Sequence, residues 1–337
     1  MSKQYITLKD IAKALNLSAS TVSRAMSNNP AISVETRKLV QKFAKEQKYK
    51  PNVLAMQLRT KRNTTIGVIV PQIVHYFFST VLAGIQEEAE KENYNLLICQ
   101  SSEDYVKEIK SVETLLDARV SGILASQSKT TKEYGHFQDI IDNNVDLVFF
   151  DRICTGINTD KVVVDDYEGA FKAVDYMVST GCKKIAFLGS DVDMPISNNR
   201  RMGYESALRK NKIEIDKSFI KECDTHSIAQ TMVPDMLTAE NVPDAFFCIN
   251  DEVAAYCLQL VKAAGFRVPE DISICGFTNG YLTEVTDPTL TSVDQHGFKI
   301  GVQAARLLID RIEGRETKKG VVSKLIKTEL VVRNSTR

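Results

Sequence analysis

The sequence predicts a small all-α helix-turn-helix domain followed by two α/β doubly wound lobes. Three observations carry that expectation. Short helical segments with explicit start signals fill residues 7–50, and from Ile66 onward apolar strand-like runs alternate with amphipathic helical stretches. The charge also divides sharply between these two parts. At 337 residues the chain exceeds what one hydrophobic core serves, so several domains are expected.

In the head, Thr7 precedes LKDIAKAL, Ser18 precedes ASTVSRAM and Ser33 precedes VETRKLVQKFAKEQ. Each hydroxyl is placed to accept an orphan backbone N–H at a helix start, and Asp10 occupies the reciprocal capping-box position relative to Thr7. Leu8, Ile11, Ala12 and Leu15 fall on one face of the first helix; Val34, Leu39, Val40 and Phe43 recur at helical spacing in the third. Only Asn16 and Leu17 separate the first two helices, a connection short enough for a helix-turn-helix. Pro51 interrupts the pattern. The NVLAMQLRTK that follows reads as a helix too short to be stable alone, leading into a polar link. The expected divisions are a head at 1–50, a hinge and linker at 51–63, and a core at 64–337.

Eleven strand candidates punctuate the core: IGVIV, NLLICQ, GILAS, VDLVFF, KVVVD, KIAFLG, FIKEC, AFFCIN, ISICGF, LTSVD and KTELVV. Helical stretches such as STVLAGIQEEAEKE, GAFKAVDYMVST and EVAAYCLQLVKAAG lie between most of them. This alternation predicts parallel sheets covered on both faces, and eleven strands suit two lobes better than one. The series restarts near Asp165.

The formal net charge of zero conceals an asymmetry. Through Arg62 there are 13 basic residues against Asp10, Glu35 and Glu46, a balance of +10 that leaves −10 for the remainder. A basic head on an acidic body implies a polyanion partner for the head. Seven cysteines without a C-x-x-C pair, several inside apolar runs, exclude a disulfide framework or zinc motif and fit a reducing compartment. No apolar signal core or membrane-length run is found, so a cytoplasmic protein without a membrane partner is expected. No dinucleotide fingerprint, Walker A motif, H-E-x-x-H or nucleophile elbow occurs, and the four histidines lack metal-ligand spacing. Neither an enzyme nor a cofactor is expected.

A second helix beginning after Ser18 would be the recognition helix, with its first turn facing base edges in the major groove. Ala19 and Ser20 sit on that turn. Arg24 lies one turn further and has the planar fork for a bidentate contact to guanine. Thr7, Ser18, Thr21, Ser23, Asn28 and Asn52 are the expected phosphate contacts, which position the protein without reading sequence. The competing reading is a capped three-helix bundle docking on protein, and the caps, spacing and charge together favour DNA.

The segment TLKDIAKALNLSASTVSRAMSNNPAISVETRKLVQKFAKEQKYKPN resembles the DNA-binding head of the LacI family of bacterial repressors. The landmarks HYFF (75–78), FFDR (149–152), Arg200 to Tyr204 as R-x-x-G-Y, IND (249–251), GF (276–277) and DPTLTSVDQ (287–295) extend the resemblance along the chain. It implies a periplasmic-binding-protein type I-like core that dimerises, with an N-lobe of about 64–163 plus 293–322 and a C-lobe of about 164–290 plus 323–337. It also implies a hinge helix that enters the minor groove of operator DNA, where Leu58 is the wedge and Ala55 packs beside it. No heptad segment follows KTELVVRNSTR, so a homodimer is expected rather than a tetramer.

The resemblance further places Phe77, Phe78, Asp151, Arg152, Arg200, Asn250, Thr278 and Asn279 around a small-molecule effector, probing hydroxyls or charge at strand ends. Core packing competes for Phe77 and Phe78, and an interlobe salt bridge competes for Arg200 with Asp151. His75, beside Tyr76, is read as surface or packing in preference to edging the pocket. Where sugar-binding relatives usually carry an aspartate, this chain has Thr278, so the expected effector is sugar-like or a sugar acid. A solute-binding transport component is the alternative function, opposed by the basic head and the missing export signal.

Overall fold

The computed structural model describes residues 6–47, 49, 63–190, 194–315 and 320–337. Contacts divide the chain into two compact units, 1–63 and 64–337.

The first unit is helical. Helices α1 (Leu8–Ala14), α2 (Ala19–Met26) and α3 (Val34–Glu46) begin after Thr7, Ser18 and Ser33, as the start signals predict. Each of these hydroxyls accepts the backbone N–H three residues on, and Thr7 and Asp10 complete a reciprocal capping box. Ile11, Ala12, Val22, Ala25, Val40 and Ala44 form the small core. The predicted face of α3 is corrected: Val34 is 56% and Leu39 53% exposed, while Ala44 takes a core position. The buried stripe of α3 is therefore narrower than its apolar pattern, because α1 and α2 cover only one side of it.

The second unit holds two six-stranded sheets. The first comprises β1 (Thr65–Val70), β2 (Asn95–Gln100), β3 (Gly122–Ala125), β4 (Asp146–Phe150), β5 (Asp160–Val164) and β11 (Ser323–Ile326) in the order β11-β5-β4-β3-β1-β2. All its pairings are parallel. The second comprises β6 (Ile185–Gly189), β7 (Ile220–Glu222), β8 (Ala245–Cys248), β9 (Ser273–Thr278), β10 (Thr291–Asp294) and β12 (Glu329–Val331) in the order β12-β10-β9-β8-β6-β7, with only β12 antiparallel. Central strands such as β3, β6, β8 and β9 are buried along their whole length, as a sheet covered on both faces demands.

Each of the eleven predicted runs contributes one strand, and the twelfth, β11, is the one the sequence hides. Its SKLI is half polar and Leu325 is 57% exposed, because β11 is an edge strand. The lobe boundaries shift accordingly. Val293 and Asp294 belong to β10 in the second lobe, not to the first, and 323–326 belong to the first lobe, not to the second. The crossings are tied together where Asp165 N–H donates to the Ile326 carbonyl at 3.0 Å.

Two helices lock the first lobe: α4 (Tyr76–Lys91) and α12 (Gly297–Ile312). They touch through glycines. A Cβ on Gly84 would lie 2.1 Å from the Phe298 carbonyl oxygen, and one on Gly301 2.0 Å from that of Val81.

Candidate functional sites: a nucleic-acid face and an interlobe cleft

In the head, Val22 and Ala25 anchor α2 in the core and turn Ala19, Ser20 and Arg24 to solvent, one helical turn apart. The first turn is tied by hydroxyls: Ser18 Oγ lies 2.8 Å from both Ser20 Oγ and Thr21 Oγ1. Thr7 Oγ1 donates to Asp10 at 2.7 Å, and the hydrogen bonds from Thr7 hold the Asp10 carboxyl below its ordinary range. Ser23 is half-buried. Asn28, in the left-handed region at φ 53°, accepts from Gln41 Nε2 at 2.7 Å, so its carbonyl is already engaged. Gln41 also donates to the Ala25 carbonyl and Arg37 to that of Asn28, making α3 the clamp on the end of α2. Neither clamp residue was singled out from sequence, where their only mark is i,i+4 spacing. Asn52, Ala55 and Leu58 lie outside the described residues.

In the core, chain segments following strands of both sheets converge on one cleft, the position at which open α/β sheets bind ligands. Phe77 and Phe78, at the start of α4, are buried in the first lobe's core and also line the cleft, so core packing and a place on the cleft wall coexist. Asp151 and Arg152 follow β4, Asn250 follows β8 and Thr278 ends β9; all four line the cleft. Arg200 reaches it from α8 (Pro195–Lys210). The cleft holds about 80 Å³. Ligand sites ordinarily span several hundred Å³, so the lobes stand close together around this cleft.

Most of the polar groups are already committed. Arg152 Nη1 donates to both oxygens of Glu103 at 2.8 Å. Ser102 and Glu103 are consecutive non-glycine residues in the left-handed region, and the Glu103 carboxylate also accepts from the Lys129 N–H at 2.9 Å. The competing reading, a salt bridge between Arg200 and Asp151, does not hold: Arg200 Nε donates to Asp166 at 2.8 Å, its Nη1 to the Ile249 carbonyl, and its guanidinium lies 3.7 Å over the Phe277 ring. Asn250 caps α10 (Asp251–Ala263) through the Val253 N–H. Thr278 Oγ1 donates to Gln295 at 3.0 Å.

Asn279 is not among the cleft residues. Its side chain donates to Asp294 at 3.1 Å and it lines a separate depression with His296 and Phe298. The turn that carries it away is strained, with φ 135° at Thr278 and 61° at Asn279, and buried Asp251 holds it by accepting from Gly280 N–H at 2.7 Å. Burial raises the Asp251 carboxyl to about 6.

Asp151 is treated differently from its neighbours. It is 9% exposed, adopts φ 58°, and burial raises its carboxyl to about 6 despite the nearby Arg152. Sequence reasoning missed Lys129, Asp224 and Gln295, all of which line the cleft. His75, in the HYFF landmark, both packs and edges the cleft: its ring meets Phe78 edge-on with centroids 5.9 Å apart, and it lines the cleft. Burial, followed by the charge of Arg152, lowers its imidazole pKa.

A capped helix-turn-helix head joined to a two-lobed binding core defines a ligand-responsive transcription regulator. Residues 7–52 match the family model of bacterial regulatory proteins, lacI family, and residues 174–336 match the periplasmic binding protein-like domain. The HTH-type transcriptional repressor PurR of Vibrio atlanticus is 32% identical over 94% of each chain. The HTH-type transcriptional repressor CytR of Escherichia coli is 32% identical over 98% of this chain and 96% of that one. Catabolite control protein A of Priestia megaterium is 32% identical over 90% and 91%. Among solved structures, the lac repressor dimer bound to operator and the anti-inducer ONPF superposes with a TM-score of 0.88 over 99% of both chains at 24% identity, which speaks to the fold. The transcriptional regulator CelR–cellobiose complex superposes with a TM-score of 0.74 at 25% identity, covering 98% of this chain and 99% of that one. The chain belongs to the LacI family and is a transcriptional regulator with a helix-turn-helix DNA-binding domain and a ligand-binding core. Among the described residues no helix is long and apolar enough to cross a membrane.

Proposed function

We propose that this chain is a homodimeric repressor whose affinity for operator DNA is set by a small carbohydrate-class effector bound between the lobes of the core. The observation that carries this reading is the convergence of strand ends from both sheets on one cleft, in the same chain as a capped helix-turn-helix. Relatives support the ligand class: their structures are described as complexes with cellobiose, D-xylulofuranose and ribose. In the head, Ala19, Ser20 and Arg24 read bases, while Thr7, Ser18, Thr21, Ser23, Asn28 and Asn52 position phosphates. Residues 51–63 act as the hinge, with Leu58 as the minor-groove wedge beside Ala55. In the core, Phe77, Phe78, Asp151, Arg152, Arg200, Asn250 and Thr278 surround the effector, which shifts operator affinity only by the difference in its affinity for the two lobe arrangements. The chain works as a regulator and not as an enzyme, in the cytoplasm.

The test is operator binding by fluorescence anisotropy, using a duplex selected from a random library by the full-length protein. Log affinity should fall linearly and steeply with log salt as counterions are released, and a carbohydrate that raises the protein's melting temperature should change that affinity. A flat salt response overturns the DNA reading. A stabilising carbohydrate that leaves operator affinity unchanged overturns the regulatory one.

A further inference from the structure

The charge on the cleft wall, taken with the carboxylates of Glu103 and Asp166 behind it, is unbalanced. Three cations line the cleft, and each already faces a carboxylate. Lys129 Nζ lies 2.6 Å from Asp224, Arg152 Nη1 2.8 Å from Glu103, and Arg200 Nε 2.8 Å from Asp166. Asp151 is the fourth carboxylate. Its side chain receives no hydrogen bond from a described residue, and the ion-pair contact it does have is Arg152 Nε at 3.9 Å, on a guanidinium already committed to Glu103. Its backbone N–H is fastened to the Val162 carbonyl at 3.1 Å and its φ is 58°, so its main chain is held in place at the end of β4. His75, the remaining titratable group of the lining, has a depressed pKa and supplies no compensating charge at neutral pH.

A buried charge without a partner is costly, and a bound counter-charge removes that cost. Resting on the reading of this cleft as the effector site, we propose that the effector presents a protonated amine to Asp151, making it an aminated polyhydroxyl compound such as an amino sugar rather than a sugar acid. An acidic ligand would find its donors on guanidiniums already paired with Glu103 and Asp166 or on the ammonium paired with Asp224, and would add a second uncompensated negative charge beside Asp151. A neutral hydroxyl would satisfy one oxygen of Asp151 and leave its charge uncompensated. An ammonium supplies both the donors and the charge. The raised carboxyl of Asp151 fits a site whose own cations do not offset its burial. Of the two carboxylates in the lining, Asp224 is held by Lys129, which leaves Asp151 as the one to which an amine would be directed.

The test uses full-length protein at pH 7.5 with two matched sets of probes: glucosamine, glucose and glucuronate, and galactosamine, galactose and galacturonate. Binding is measured by calorimetry and by melting temperature. The amine of at least one set should bind about tenfold or more tighter than its neutral partner, with the acid weakest. Asp151→Asn should retain a cooperative melt and bring the amine and neutral affinities together. For the native protein, amine affinity should rise as pH climbs through about 6, where Asp151 ionises. Neutral or acidic members binding as tightly as the amines overturn the charge assignment and leave the effector cleft standing. If none of the six probes binds, the carbohydrate reading fails and the amine proposal fails with it.

Discussion

Lys129, on the loop after β3 in the first lobe, places its ammonium 2.6 Å from the Asp224 carboxylate, after β7 in the second. The two residues therefore bridge the lobes across the rim of the cleft. With side chains 34% and 19% exposed, the pair is screened less than a surface ion pair but not desolvated, and about 1 kcal/mol is the scale of its contribution. Lys129→Ala should widen the cleft, read as a longer mean distance between spin labels on the two lobes. The charge-reversed double variant Lys129→Asp with Asp224→Lys should restore much of the native distance. An unchanged distance distribution in the single variant removes the latch.

Asp151 and Asp251 both titrate near 6 in the folded chain because they are buried. A carboxyl raised in this way binds its proton more tightly folded than unfolded. Its stabilising contribution is therefore present below the unfolded value near 3.8 and is lost as pH rises through about 6. Asp151→Asn should accordingly gain stability relative to the native chain between pH 4.5 and pH 7.5, by roughly 1–3 kcal/mol. Urea unfolding at the two pH values measures this, and parallel shifts of both proteins contradict it.

Gly84 and Gly301 set the approach of α4 and α12. Alanine at either position drives a Cβ into a carbonyl oxygen of the facing helix, which belongs to the backbone and cannot rotate aside. Gly301→Ala should cost about 3 kcal/mol or more, at the upper end of overpacking, and lower the urea midpoint of the core. A loss below about 0.5 kcal/mol would show that the helices part without penalty.

Thr7→Ala removes the acceptor for the Asp10 N–H and the donor to its carboxylate. The head should lose about 1 kcal/mol, visible as faster amide exchange in the first helical turn. Exchange unaltered there would remove the cap from the account.

Arg24→Ala should weaken binding to a selected operator by about 1–3 kcal/mol while leaving non-specific DNA binding nearly intact, because base readout and phosphate contact are separable. Equal losses on both duplexes would reassign Arg24 to the phosphate backbone.

What the sequence determined by itself is local. Thr7, Ser18 and Ser33 mark helix starts because a cap needs only a hydroxyl and the next three residues. Runs such as AFFC are legible as strands because burial on both faces demands continuous apolarity. The order of landmarks, read as a family resemblance, also picked out Phe77, Asp151, Arg200, Asn250 and Thr278, which the fold gathers around one cleft. What only the tertiary structure decided is which groups are spent. Arg200 is taken by Asp166, 34 positions away, and Lys129 by Asp224, 95 positions away. Asn279 is carried out of the cleft by a strained turn, and β11 pairs with β5 despite a polar sequence because edge strands need little burial. Charge pairing depends on distances of a few ångströms between residues remote in sequence, and no local pattern encodes them. The leftover carboxylate of Asp151, and with it the charge of the ligand the cleft would accept, therefore emerged only in three dimensions.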